Sequence, residues 1–222
     1  CADIELTIDD VLSAPVAESR ALLISGTGLS KEPSRSATLF AAELAKAAGR
    51  TVFLDLDFRP DQWHDPRAFG VVVRGALPLI DVALGTEEEV KVTSGATEIG
   101  VTHSQVSNYQ VAGSVQDAVK RLQDGGLRTL VLKHGARGAT VFDGSAAPVE
   151  AAPFPVEILN VLGAGDAFAS GLIYGRLQGW DWHKSARMAN ATGAIVVTRP
   201  ACANSMPTLA EVEEFVSSRG GF

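Results

Sequence analysis

Short apolar runs and amphipathic segments alternate along most of the chain. The apolar runs predict buried strands at residues 21–26, 51–54, 77–84 and 129–132. Segments with helical periodicity follow them, and they predict helices at residues 34–48, 71–76, 115–122, 165–177, 182–197 and 208–217. Strands that alternate with helices on this scale predict an α/β fold with a doubly wound, mainly parallel sheet flanked by helices.

Three stretches are less regular. Residues 5–20 have weak helical periodicity, and residues 93–107 are rich in Gly, Thr and Ser and match neither period. Residues 139–142 and 147–149 are two short apolar segments separated by a turn at Asp143-Gly144, so they predict a hairpin.

The most informative stretch follows the apolar run at residues 156–162. Gly163-Ala164-Gly165-Asp166 comes next, and a helical pattern starts immediately after it. This predicts a loop that enters a helix N-terminus, where unpaired N–H groups and the positive end of the helix dipole attract an oxyanion. The glycines let a ligand approach the backbone closely.

Asp166 has two interpretations. An acid in the first turn of a helix can simply complement the dipole. Beside a bound phosphate, however, a carboxylate would repel the ligand, so its presence favours a group that takes a proton from whatever attacks the phosphate. Other phosphate loops fit poorly, because the Walker Gly-Lys-Ser/Thr is missing and Phe168 stands where a dinucleotide fingerprint needs its third glycine. A dinucleotide-dependent dehydrogenase is therefore disfavoured.

Composition narrows the class of protein further. The 222 residues, 46% apolar and 20% charged, fit one sizeable globular domain, and no apolar run is long enough to span a bilayer. A net charge of −7 argues against nucleic acid or an anionic membrane as partner. The only cysteines are Cys1 and Cys202, and the four histidines (His64, His103, His134 and His183) lack metal-ligand spacing, so we expect a reducing, cytoplasmic protein. Because the chain starts with Cys1 and not Met, we expect an upstream segment.

Residues 160–168 resemble the C-terminal signature of the PfkB, or ribokinase-like, carbohydrate kinases. The resemblance implies that Gly163, Ala164 and Gly165 form an anion hole for the phosphoryl group. It also implies that Asp166 is the catalytic base and contacts the substrate hydroxyl. The usual Asp-Thr opening of this signature is replaced by Asn160-Val161, so a monovalent-cation site is not expected.

Residues 55–59, Asp-Leu-Asp-Phe-Arg, resemble the family's Asp-x-Asn-x-Arg segment, with Asp57 in the Asn position. The resemblance makes Arg59 a catalytic and substrate-binding candidate that neutralises the transferring phosphoryl group. A guanidinium suits this task because it stays charged and its fork matches phosphate oxygens. The alternative is a solvated charge at the end of a strand.

Gly85-Thr86-Glu87-Glu88 lies where the family has Asn-x-x-Glu, so Glu88 is the candidate Mg²⁺ residue. Mg²⁺ keeps several waters, and one carboxylate acting through water would suffice. The alternative is a solvated first helical turn formed by Glu87, Glu88 and Glu89.

Two further segments resemble the family's nucleotide site. In residues 133–138 the resemblance implies a Lys-x-Gly-x-x-Gly turn, with Lys133, Gly135 and Gly138 against ATP. Asn190 lies in a segment that matches the helix beside the adenine, and it is the candidate contact to the base. Lys133 as a simple strand-end charge and Asn190 as an ordinary helix-surface residue remain the alternatives.

Taken together, the resemblance implies a ribokinase-like fold in which residues 1–222 form a single α/β kinase domain, the C-terminal nucleotide-binding and catalytic portion of the enzyme. It implies ATP and Mg²⁺ as cofactors, a small-molecule sugar or sugar acid as substrate, and a homodimer. It also implies that the first strands and the β lid, which bind the sugar, are absent from this chain. Several segments are most similar to a subgroup that acts on a sugar acid of inositol catabolism. A nucleoside or other small-alcohol kinase and a non-catalytic nucleotide-binding module remain alternatives.

Overall fold

The structure is a computed structural model that describes residues 2–101 and 109–222. Cys1, His103 and the end of the unassigned 93–107 segment lie outside the described residues. The strands are β1 (Ala21–Ser25), β2 (Thr51–Asp55), β3 (Val82–Thr86), β4 (Ile99–Val101), β5 (Tyr109–Val111), β6 (Thr129–Lys133), β7 (Ala139–Phe142) and β8 (Val149–Ala151). The α-helices are α1 (Ile8–Ser13), α2 (Ser34–Ala47), α3 (Pro66–Ala76), α4 (Glu87–Thr93), α5 (Val115–Asp124), α6 (Ala164–Leu177), α7 (Trp182–Val197) and α8 (Leu209–Ser217).

The chain divides into two compact units, Cys1–Leu132 and Lys133–Phe222. That residues 1–222 form a single kinase domain stays a prediction. In the first unit β1, β2 and β3 are parallel neighbours, and β6 lies next to β3. The second unit contains the antiparallel pair β7 and β8 together with α6, α7 and α8. The prediction of a mainly parallel sheet with flanking helices is confirmed.

The apolar patterns in the first unit form the elements they predict. Val52, Phe53 and Leu54 are at most 1% exposed, because β2 lies between two neighbouring strands and both of its faces are covered. On α2, Ala37 and Ala41 pack with Val11 of α1. The chain leaves α2 through Gly49, whose φ of +71° is the left-handed conformation typical of a helix C-terminus.

Two predicted strands begin later than their apolar runs, and both differences have the same cause. Residues Leu77–Leu79 form a 3₁₀ turn that contains Pro78, and β3 starts only at Val82. In the hairpin, β8 starts at Val149, immediately after Pro148, and not at residue 147. A proline has no N–H to donate to a strand ladder, so the regular pairing begins beyond it.

The region from residue 93 onwards contains a small sheet that the sequence did not predict. β4 and β5 pair antiparallel, with Ile99 opposite Val111 and Val101 opposite Tyr109. Each strand has three residues, which is too short for a period of two to stand out against the surrounding Gly, Thr and Ser.

In the second unit α6 and α7 lie in close contact because small residues face each other. A Cβ built on Gly171 would be 2.5 Å from Thr192 Oγ1 and 3.0 Å from Ala189 Cα. Thr192 Oγ1 donates a hydrogen bond of 2.7 Å to the carbonyl oxygen of Ala167, which ties the first turns of α6 to α7. α8 completes this core, where Val212 joins a cluster that includes Ile195 of α7.

No helix in residues 2–101 or 109–222 is long and apolar enough to cross a membrane.

The helix pair gives a first prediction about stability. Gly171→Ala should lower the free energy of unfolding by roughly 1–3 kcal/mol, because the added methyl overlaps Thr192 and the backbone of α7. Gly75→Ala is the matched control: Gly75 lies in α3, and a Cβ there would have nothing within 4 Å. Helix propensity alone should make that variant more stable by about 0.5–1 kcal/mol. Chemical denaturation of both variants checks the prediction, and equal effects would contradict it.

Candidate active site

The loop before α6 is fixed by the end of α7. The N–H groups of Leu159 and Asn160 donate hydrogen bonds of 2.8 and 3.0 Å to the carbonyl oxygen of Val197. Asn160 Oδ1 then accepts a 3.0 Å hydrogen bond from the N–H of Leu162. Val161 and Leu162 themselves are 70% and 60% exposed, so their apolar side chains do not belong to the core.

Gly163 is the N-cap of α6 and has φ of +83°, a conformation that side chains strongly disfavour. A Cβ at this position would also lie 2.7 Å from Cys202 Sγ. Both the backbone conformation and the neighbouring sulfur therefore require glycine here. Cys202 had no predicted role, and its contact with the loop is a feature of the site that the sequence pattern did not reveal.

The three backbone amides predicted to bind phosphate are not equivalent. The N–H of Ala164 donates to the carbonyl oxygen of Val161 at 3.2 Å, so the turn itself already occupies one predicted donor. Within the part of the chain that the structure describes, the N–H groups of Gly163 and Gly165 donate to no protein acceptor. The predicted anion hole of Gly163, Ala164 and Gly165 therefore stays a prediction, with the amide of Ala164 already bonded within the turn.

Asp166 lies on the first turn of α6 and is exposed. The Ala167 N–H donates at 3.0 Å to the carbonyl oxygen of Gly163, and this bond starts the helix and fixes the turn that carries Asp166. The carboxylate is thus accessible to a ligand and lies in the same helical turn as the two glycine amides. These groups can bind an oxyanion and accept a proton from a hydroxyl beside it.

The predicted nucleotide turn begins at Lys133, the last residue of β6. Gly135 and Gly138 both have positive φ, +60° and +94°. A Cβ on Gly138 would lie 2.3 Å from the carbonyl oxygen of Ala151, so this glycine is needed for packing inside the protein. At Gly135 a Cβ would have nothing within 4 Å, so its surface is open to a ligand.

A chain of hydrogen bonds supports the same turn. His134 Nε2 lies 2.8 Å from Thr140 Oγ1, and Thr140 Oγ1 donates at 2.9 Å to Glu150 Oε2. Because the single hydroxyl hydrogen goes to Glu150, His134 Nε2 must be the donor in the first bond. This arrangement fixes the imidazole. The sequence did not reveal it, because His134 lies in a turn while Thr140 and Glu150 lie on different strands.

Asn190 differs from its predicted role as a contact to the base. Its Nδ2 donates two hydrogen bonds of 2.9 Å, to the carbonyl oxygens of Ala151 and Ala152, and the residue is only 9% exposed. Both amide hydrogens therefore serve the end of β8. Only Oδ1 is left for a ligand, so the geometry assigns Asn190 a structural role, and its contact with adenine stays a prediction.

In the first unit, Arg59 lies four residues beyond β2 and is paired with Asp57. Arg59 Nε donates a 2.9 Å hydrogen bond to Asp57 Oδ1. Asp57 Oδ2 accepts a 3.2 Å bond from Ser25 Oγ at the end of β1. Polar side chains thus gather at the carboxyl ends of β1 and β2, the edge of a parallel sheet at which ligands commonly bind.

Glu88, the predicted magnesium residue, has two protein partners. Lys91 Nζ donates to Oε1 at 3.1 Å, and the N–H of Val111 donates to Oε2 at 2.8 Å. No group of three or more metal-ligating side chains is found among the described residues. Each oxygen of Glu88 retains a lone pair, so the carboxylate fits a contact to Mg²⁺ through water and fits a direct metal bond poorly.

The neighbouring Glu89 was not singled out by the sequence, although it is more buried. Its two oxygens accept hydrogen bonds from the N–H groups of Phe58 and Thr86, and the second bond completes the capping box of α4. Gly85 lies within β3, and Thr86 is the N-cap of α4. Burial, followed by the nearby charge of Glu89, raises the pKa of Tyr109 above its ordinary value, so Tyr109 stays protonated.

The chain has a mainly parallel sheet and a helix, α6, that starts at a glycine loop and carries an acid on its first turn. These features are typical of the α/β proteins that bind oxyanions at a helix terminus. The profile of the pfkB family carbohydrate kinases matches residues 2–209, so the chain belongs to that family.

Individual relatives agree with this assignment. The 5-dehydro-2-deoxygluconokinase of Clostridium beijerinckii is 33% identical over 215 residues, which are 97% of this chain and 60% of that protein. The structure of a fructokinase from Vibrio cholerae O395 with fructose, ADP and calcium is 25% identical with a TM-score of 0.78, over 95% of this chain and 64% of that one. The structure of an aminoimidazole riboside kinase from Salmonella enterica, in complex with aminoimidazole riboside and an ATP analogue, is 25% identical with a TM-score of 0.77. The match covers 95% of this chain and 66% of that one. The chain thus spans about 60% of the length of the curated relatives it matches.

The second prediction concerns the glycine at the N-cap of α6. Gly163→Ala should weaken oxyanion binding at the start of α6, and it should lower stability by more than the roughly 1–2 kcal/mol expected from the left-handed conformation alone, because the methyl overlaps Cys202 Sγ. Gly179→Ala is the matched control, with φ of +76° and nothing within 4 Å of its Cβ. Calorimetric titration with ATP and thermal unfolding measure the two effects.

A second substitution separates the contact from the backbone strain. Cys202→Ala removes the sulfur that the new methyl would overlap, so it should recover part of the binding and stability lost in Gly163→Ala. If the double variant is no better than Gly163→Ala, the contact with Cys202 is not what requires glycine at this position.

Proposed function

We propose that the protein is an ATP-dependent kinase that phosphorylates a primary hydroxyl of a sugar or sugar acid, with 5-dehydro-2-deoxy-D-gluconate as the acceptor. The pfkB family assignment over residues 2–209 supports the general activity. The acceptor is supported by relatives at 33% identity that carry the name 5-dehydro-2-deoxygluconokinase.

One observation carries the proposal: Asp166 and the two free glycine amides lie on the same turn at the start of α6. In the proposed reaction Asp166 takes the proton of the acceptor hydroxyl while that oxygen attacks the terminal phosphorus of ATP. The bond from this phosphorus to the bridging oxygen breaks, and ADP leaves with the electron pair. The N–H groups of Gly163 and Gly165, at the positive end of the helix dipole, stabilise the charge on the phosphoryl oxygens. Phosphoryl transfer depends mainly on such positioning and charge stabilisation.

The remaining predicted residues have supporting roles in this proposal. Arg59 would contact the phosphoryl oxygens, and Lys133, Gly135 and Gly138 would form the turn against the nucleotide, with Gly135 the open position. Bound Mg²⁺ would neutralise charge on the phosphates, and Glu88 would hold it through water. ADP in the fructokinase and an ATP analogue in the riboside kinase support a nucleotide as the phosphate donor.

Two other functions remain candidates. A nucleoside or small-alcohol kinase is supported by the similarity to the aminoimidazole riboside kinase. A nucleotide-binding module without catalysis is the second alternative. Assays with sugars, keto-deoxy sugar acids and nucleosides distinguish these functions, and ATP binding without turnover on any acceptor would decide for the module. We further propose a homodimer, a cytoplasmic location and no nucleic-acid partner, the last supported by the net charge of −7.

The third prediction tests the role of Asp166. In the purified protein, with any residues that its gene encodes before Cys1, Asp166→Asn should lower kcat by roughly 10²–10⁴-fold, because asparagine cannot accept the proton. The Kd for ATP should change by no more than about threefold, since the glycine amides are retained. Steady-state kinetics and calorimetry measure the two quantities.

Asp117 provides a matched control. It occupies the corresponding position of α5, the third residue of the helix, and it is an exposed acid of the first turn as Asp166 is in α6. Asp117→Asn should leave kcat unchanged. A near-normal kcat for Asp166→Asn would contradict the proposed function, and an equal loss in both variants would show a general effect of first-turn acids on helix stability.

A further inference from the structure

The first unit contains two Asp-x-Arg pairs whose geometries differ. Asp57 and Arg59 follow β2, while Asp65 and Arg67 lie at the start of α3. In both pairs an aspartate contacts the guanidinium of an arginine two residues later, and all four side chains are at least 30% exposed. The two pairs therefore share residue types and spacing, and the two aspartates are similarly exposed, at 30% and 33%.

In the Asp65–Arg67 pair the guanidinium fork is used up by the carboxylate. Arg67 Nε contacts both carboxylate oxygens, at 2.9 and 3.1 Å, and Nη2 donates to Oδ2. These hydrogen bonds lower the pKa of Asp65 to about 2. Such bidentate pairing is the geometry by which arginine would otherwise bind a phosphate.

In the Asp57–Arg59 pair the carboxylate accepts only one hydrogen bond from the arginine. Arg59 Nε lies 2.9 Å from Asp57 Oδ1, and the other carboxylate oxygen is turned to Ser25 Oγ at 3.2 Å. Across the described ranges, neither terminal nitrogen of Arg59 donates a hydrogen bond to the protein. The outer edge of this guanidinium thus remains available as a bidentate donor.

The backbone explains why the carboxylate has this orientation. Asp57 has φ of +34°, and it is the only residue other than glycine with a positive φ in the described part of the chain. Backbone of this kind is strained for most side chains and is found mainly where surrounding contacts hold it. Here the contact with Ser25 at the end of β1 holds the side chain on one side, and Arg59 lies on the other.

We propose that Asp57 is a positioning residue that holds Arg59 by Nε and directs its two terminal nitrogens to a phosphoryl oxyanion. The inference rests on the proposed function, because the oxyanion is taken to be the phosphate of the nucleotide. The carboxylate makes the Nε bond charge-assisted and so restricts the long arginine side chain before the ligand arrives. Because the Asp57 carboxylate bonds only Nε, it does not compete with the phosphate for the two terminal nitrogens of Arg59.

A double-mutant cycle on the purified protein, with any residues that its gene encodes before Cys1, provides the test. Asp57→Asn should lower kcat/KM for ATP by about tenfold, the effect of one hydrogen bond to a charged group. In an Arg59→Ala background the same substitution should change kcat/KM by less than about twofold, because nothing remains to be positioned. Asparagine tolerates the left-handed region, so the variant changes the charge without adding backbone strain.

Asp65→Asn is the matched control, and it should leave kcat/KM unchanged in both backgrounds. It removes an equal charge two residues before an arginine, and asparagine still caps α3. If Asp57→Asn lowers kcat/KM equally with and without Arg59, Asp57 has only a structural role and the inference is overturned. A wild-type value for Asp57→Asn would overturn it as well.

The cycle can also be measured without turnover, which separates this inference from the proposed function. Calorimetric titration with the nonhydrolysable ATP analogue AMP-PNP gives the Kd of each variant. If the wild-type protein binds AMP-PNP but phosphorylates no acceptor, the proposed kinase activity fails, while a coupling of about tenfold between Asp57 and Arg59 in Kd still supports the inference. Additive effects on Kd would overturn it whether or not the protein is active.

Discussion

The start of α6 depends on the absence of a side chain at Gly163. Its left-handed backbone turns the loop into the helix, and Cys202 fills the space on the side where a Cβ would lie. With the turn fixed in this way, the Gly163 and Gly165 N–H groups donate to no acceptor among the described residues, and Asp166 lies on the first helical turn. A helix N-terminus provides unpaired donors in any case, but here the close packing decides which of them remain free.

The same requirement for small residues extends along the helix. Gly171 allows α7 to approach α6, and Thr192 uses the short distance to bond the carbonyl oxygen of Ala167 in the first turns. The loop before the helix is in turn held by the carbonyl oxygen of Val197 at the end of α7. The position of the turn from Gly163 to Asp166 within the second unit is thus determined by the contact between two helices. A rigid frame of this kind is what the positioning of a reacting group requires.

The sequence predicted the elements whose patterns are set locally. β1, β2, α2, α6 and α7 occur close to their expected bounds, because burial on a single face or in a continuous run is visible in the order of the residues. The starts of β3 and β8 were displaced by prolines, and the small sheet of β4 and β5 was too short to recognise. At the site, the glycine loop and Asp166 could be found from the sequence because their chemistry lies in consecutive residues.

Residues whose roles depend on distant partners could not be assigned in this way. Glu88 and Asn190 have the residue types that a metal or a base would need, yet Glu88 bonds the backbone of Val111 and Asn190 bonds the end of β8. Asp57 is the converse case, since only the structure shows that it contacts Ser25 and leaves the fork of Arg59 open. A buried or half-buried polar side chain must satisfy its own hydrogen bonds first, so its availability to a ligand follows from which lone pairs or hydrogens remain after the protein has used the others. By that criterion the Gly163 and Gly165 amides in the second unit have capacity left for a phosphate, since they donate to no acceptor among the described residues. The same holds for the terminal nitrogens of Arg59 in the first unit.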